Sequence, residues 1–134
     1  MDSKKAVTRK VLVVEDDSLL RRDLADILRL EGYKVTAVKT GMQGLQALSN
    51  ADPPPSVIVS DVRMGEIPQD SFVTEVRSRK TWRHIPFVFL TGSKLPEDPS
   101  KRPTTVREVF LKKPFEIKDL LTAIEQFLSP ARTA

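Results

Sequence analysis

Five short apolar runs alternate with segments of helical period along this chain, and that alternation constrains the fold more than any other feature. Residues 10–14 read as a strand, and 18–31 as a helix whose Leu20, Leu24, Ile27 and Leu28 share one face. Gly32 supplies a helix C-terminal glycine before a second strand at 34–39. A short helix follows at 41–50 on Met42, Leu45 and Leu48, closed by Pro53, Pro54 and Pro55, which cannot continue it. "SVIVSD" is apolar almost throughout, as suits a strand covered on both faces. A helix at 69–80, the strands "IPFVFLT" and "REVFLK", and a last helix at 115–128 complete the series. Such a βαβα rhythm predicts an α/β fold, a doubly wound five-stranded parallel sheet between helices.

The rhythm fails once. Between the fourth and fifth strands a helix is due, yet Pro96, Pro99 and Pro103 fall within that stretch. Each interior helix proline costs about 3 kcal/mol, so a proline-rich loop is expected to replace or shorten this helix, with 93–105 the most mobile internal segment.

With 134 residues, 40% of them hydrophobic, the chain has material for one domain with a real core. We read 1–9 as an N-terminal extension, 10–128 as the domain and 129–134 as a tail. No run approaches the roughly 20 apolar residues of a membrane span, so a cytoplasmic protein without a membrane partner is expected. The absence of cysteine removes disulfides and thiolate metal sites. A net charge of +4 is too mild to argue for direct nucleic-acid binding. No G-x-S-x-G elbow, Walker loop or G-x-G-x-x-G appears, which speaks against small hydrolases and nucleotide-binding enzymes.

Ligands of open α/β sheets bind beyond the carboxyl ends of the strands. There the sequence places Glu15 and Asp16 after the first strand, Asp61 after the third, Thr91 after the fourth and Lys113, followed by Pro114, after the fifth. Three converging carboxylates repel unless a cation joins them, and a hard divalent ion such as Mg²⁺ suits a carboxylate and water shell. Lys113 adds a fixed positive charge, and the Thr91 hydroxyl can hydrogen-bond an anion. Asp17 reads as the cap of the first helix. His84, the single histidine, stands at the entry to a strand and reads as structural. The basic run Arg77, Arg79, Lys80 and Arg83 reads as a solvated helix end and loop.

"VLVVEDDSLLRR", "VSDVRM", "FVFLTGS" and "LKKPFE" together resemble the signature segments of the response-regulator receiver domain of two-component signalling, over about residues 10–128. The resemblance implies the flavodoxin-like strand order 2-1-3-4-5. It implies a signalling domain rather than an enzyme, with Asp61 as phosphoacceptor and a sensor histidine kinase or histidine phosphotransfer protein as donor. Mg²⁺ would be held by Glu15, Asp16, Asp61 and the Arg63 backbone carbonyl, while Lys113 and Thr91 would bind the phosphoryl group and Gly92 would leave it approachable. Thr91 and Phe110 would form the switch pair, Lys112 would face solvent, and Lys113-Pro114 is a cis-peptide candidate.

Four departures from the family pattern stand out. They are Glu15 in place of Asp, Gly65 in place of Pro, a switch aromatic without a hydroxyl, and the proline-rich segment. The last touches the usual output and dimer face, which leans the expectation towards a monomer. It also leaves an alternative, a receiver-like interaction module that works without phosphorylation through an unknown effector or a fused output domain.

Overall fold

The computed structural model describes residues 9–61, 69–92 and 108–128. Among these residues, five strands, β1 (Lys10–Val14), β2 (Lys34–Val38), β3 (Val57–Asp61), β4 (Phe87–Thr91) and β5 (Glu108–Lys112), are interspersed with four helices. These are α1 (Ser18–Leu30), α2 (Gly41–Asn50), α3 (Gln69–Ser78) and α4 (Ile117–Leu128). The strands form one parallel sheet, as the βαβ rhythm predicts, in the order β2-β1-β3-β4-β5 that the family resemblance implies. Arg63, Gly65 and the proline-rich 93–105 lie outside the described residues.

Strand alternation divides the core into two layers, because successive side chains leave the sheet on opposite faces. Val11, Val13, Val57, Val59, Val88 and Leu90 pack on one face against Leu24 and Leu28 of α1 and Leu120, Ile124 and Phe127 of α4. On the other, Leu12, Val14, Ile58, Phe87 and Phe89 meet Leu48 of α2 and Phe72, Val73 and Val76 of α3. β3 and β4 are buried along their whole length, whereas the edge strand β2 is only partly covered.

Local chemistry sets the helix ends. Asp17, in extended conformation, accepts from the Leu19 and Leu20 amides at 3.0 and 3.1 Å, so it caps α1 as expected. At the other end Gly32 takes φ +99°, and the Gly32 and Tyr33 amides bond the Arg29 and Leu28 carbonyls in a Schellman closure. Thr40 and Gln43 form a reciprocal capping box that fixes the start of α2. Its Thr-x-x-Gln signature was readable in the sequence. α3 stops at Ser78 rather than residue 80, and the chain turns through 79–84.

That turn corrects the reading of the basic run. Arg79, Lys80 and Arg83 are exposed, but Arg77 folds inward. Its guanidinium pairs with Glu108 at 3.1 Å, donates to the Arg83 and Ile85 carbonyls at 3.1 and 2.9 Å, and lies 4.7 Å from the centre of the Phe87 ring. It therefore ties α3, the turn, β4 and the start of β5 together, and a planar five-donor group is suited to that many partners.

Candidate functional site

All the strands point the same way, so their carboxyl ends share one edge of the sheet. Glu15 follows β1, its amide bonding the Val38 carbonyl of β2 at 3.0 Å, and its side chain is wholly buried. Asp61 ends β3 at 6% exposure, and Thr91 ends β4 at 3%. In register, Asp61 stands opposite Leu90, which puts Thr91 one residue beyond it on the neighbouring strand. Lys113 follows β5, its amide bonding the Thr91 carbonyl at 2.7 Å, and the Lys113–Pro114 peptide is cis.

One carboxylate oxygen from each of Glu15, Asp16 and Asp61 falls within 4.8 Å of the others. The Lys113 ammonium lies 3.4 Å from Glu15 Oε1 and 3.6 Å from Asp61 Oδ2. This ammonium meets the three-carboxylate cluster at two points, Glu15 and Asp61. Burial is the main reason the Glu15 carboxyl is pushed up to about 7. The Asp17 amide, donating to Oε2 at 3.1 Å, acts against that shift, Asp61 adds to it, and Lys113 opposes it. Hard oxygen donors this close, around a carboxyl whose ionised form burial disfavours, fit a small divalent cation better than they fit one another.

Two contributors escaped the sequence reading. Arg21, in the first turn of α1, donates to the Glu15 carbonyl at 3.0 Å and pins the backbone where the strand turns into the helix. Asp17 serves twice, its side chain capping α1 and its amide holding Glu15. A cap is legible from residue type, but the backbone donor and the arginine are not, since nothing local marks their targets. Phe110 is half-buried and stacks on Phe89, ring centres 5.0 Å apart and planes at 27°. Lys112 is exposed, as expected. His84 is exposed just before β4, at the opposite end of that strand from Thr91, far from any role in the cluster.

The model of the response regulator receiver domain matches residues 11–125, so it spans every strand and each acid of the cluster. The chain belongs to that family. This receiver is 34% identical over 132 residues to the transcriptional regulatory protein PdtaR of Mycobacterium tuberculosis, covering 98% of this chain and 62% of that protein. It is 32% identical over 120 residues to the sensor kinase CckA of Brucella abortus, covering 88% of this chain but only 12% of the kinase. Among solved structures, the chemotaxis response regulator CheY4 of Vibrio cholerae superposes with a TM-score of 0.75 at 27% identity, over 90% of this chain and 99% of that one. The receiver thus spans under two thirds of the curated relatives it matches, and is nearly coextensive with CheY4. Among the described residues no helix is long and apolar enough to cross a membrane.

Proposed function

We propose that Asp61 accepts a phosphoryl group from the phosphohistidine of a sensor kinase or phosphotransfer protein, and that the receiver changes its partner binding as a result. The observation that carries this reading is the Lys113 ammonium set between Glu15 and Asp61, 3.4 and 3.6 Å away, inside a three-carboxylate cluster. An Asp61 carboxylate oxygen forms the new P–O bond, the P–N bond to the donor imidazole breaks, and the imidazole leaves with the electron pair. Glu15, Asp16, Asp61 and the Arg63 carbonyl would hold Mg²⁺, which when bound supplies positive charge to the oxygens of the transferring group.

The protein's own groups do the rest. Lys113 neutralises Asp61 beforehand and is in reach of a phosphoryl oxygen afterwards. Thr91, one residue past the partner of Asp61 on the next strand, offers a hydroxyl to another oxygen. Among the described residues an added Cβ at Gly92 would meet nothing within 4 Å, which supports an open approach beside Thr91. Phe110 follows Thr91 inward as the hydroxyl moves, and the change in its packing against Phe89 is what a partner would read. The domain acts in signalling rather than turnover, in the cytoplasm, without direct contact to nucleic acid or membrane.

The test is intact mass after incubation with acetyl phosphate and Mg²⁺. One added phosphoryl group is expected in wild type, lost with a chelator and in Asp61→Asn. No gain in the folded wild-type protein would overturn the reading and favour a phosphorylation-independent interaction module.

A further inference from the structure

A second cleft opens at the end of the sheet away from the acidic cluster. α2 is three residues shorter than α1, and its end at Asn50 leaves part of the sheet face uncovered beside β2. Thr36, in the middle of β2, is exposed there, although strand centres beneath a helix are ordinarily covered. The resulting cavity of about 630 Å³ is lined by Lys10, Lys34, Thr36, Ala47 and Asp52, with Leu12 and Leu48 buried behind them. That size falls in the range of small-ligand sites, roughly 300–1,000 Å³.

The charges say what it would take. Lys10 and Lys34 are paired in the β1–β2 register, and strand alternation puts both on the face of Leu12 and Thr36. Like charges directly opposite one another on neighbouring strands destabilise a sheet. Lys10 donates to the Pro53 carbonyl at 3.0 Å, and among the described residues neither lysine has a carboxylate within ion-pair distance, Asp52 included. A standing repulsion beside a cleft lined by Ala47 and Thr36 is relieved by an anion that also has an apolar body.

We infer that this cleft binds a small organic phosphate monoester, its phosphate between Lys10 and Lys34 and its apolar or aromatic portion against Ala47 and the Thr36 methyl group. Two ammonium groups match the charge of about −1.5 to −2 that a phosphate monoester carries at neutral pH. β1 runs from Lys10 at the cleft to Val14, the residue before Glu15, so the two sites occupy opposite ends of the same strand.

Amide NMR titration with phenyl phosphate, in the presence of chelator, tests the inference. Shifts are expected at Lys10, Lys34, Thr36 and Leu48, saturating with a Kd of about 1 mM. Lys34→Ala, at an exposed position, should weaken binding roughly fivefold or more, and Lys34→Glu should abolish it. Inorganic phosphate, lacking the apolar body, and benzyl alcohol, lacking the charge, should each bind much more weakly. Asp61→Asn should bind as wild type, which separates this cleft from the phosphoacceptor. Shifts centred on Asp61, equal affinity in a folded Lys34→Glu protein, or no shifts at up to about 20 mM ligand would overturn it.

Discussion

Lys113 and Glu15, 98 residues apart in the chain, meet at 3.4 Å with Glu15 fully buried and Lys113 a quarter exposed. Lys113 lies within ion-pair distance of both Glu15 and Asp61, so its loss removes one positive charge from between two buried carboxylates. Lys113→Met should destabilise the metal-free protein at pH 8 by roughly 1–3 kcal/mol, between the exposed-pair and buried-pair ranges because the ammonium is partly solvated. Urea unfolding with chelator measures this, and repeating it with excess Mg²⁺ should recover most of the loss.

Glu15 gives the fold a pH dependence of defined sign. Its carboxyl ionises near 4.5 when unfolded and near 7 when folded, so the folded state holds the proton more tightly. Its contribution is complete below about pH 4.5 and is lost as the pH rises through 7, by roughly 3 kcal/mol at most. With chelator present, wild type should therefore weaken between these values while Glu15→Gln stays level. Because metal and proton compete for the same oxygens, Mg²⁺ affinity should rise with pH up to about 7 and then flatten. A level wild-type profile would refute the burial argument.

The Arg77–Glu108 pair is a structural tie, with the two side chains 19% and 8% exposed. Glu108→Gln should cost about 2–4 kcal/mol, since it removes the carboxylate charge 3.1 Å from the guanidinium. Arg77→Met should cost a similar amount, and the double variant less than the two together. A double-mutant cycle on unfolding free energies checks this, additivity being the contrary result.

Gly44 allows α2 to approach α3 closely. A Cβ there would lie 3.0 Å from Phe72 Cε1 and 3.2 Å from Val14 Cγ2. Phe72 is fully buried and held edge-on against Phe87. Gly44→Ala should therefore lose about 1 kcal/mol or more despite the better helix propensity of alanine. Thermal unfolding would read this as a lower Tm, and an unchanged or raised Tm would show that the ring can give way.

The strands were legible because β1, β3 and β4 are covered on both faces and so carry unbroken apolar runs, "VLVV", "VIV" and "FVFL". The acids of the cluster were legible because strand ends are fixed by those runs, and parallel strands bring their ends together. Arg77 was not. Its local setting, a basic helix end followed by more basic residues, is identical to that of a solvated arginine, and its partner lies 31 residues on. Arg21 was hidden for the same reason, its acceptor being a main-chain carbonyl that no residue type announces. Local pattern locates elements and their ends, whereas the contacts that brace a site depend on how distant elements pack.

The cluster draws Glu15 from the first strand's end and Lys113 from the last strand's, with Asp61 between them. A nascent chain can form α1 and even the β1–β2 pair while still lacking β5, and in that state its carboxylates have no ammonium beside them. Contacts of such long sequence separation require closure of nearly the whole chain before they return any free energy. The complete constellation therefore exists only in a finished fold, and any reaction that depends on it doubles as a proofreading step that passes over partly folded copies.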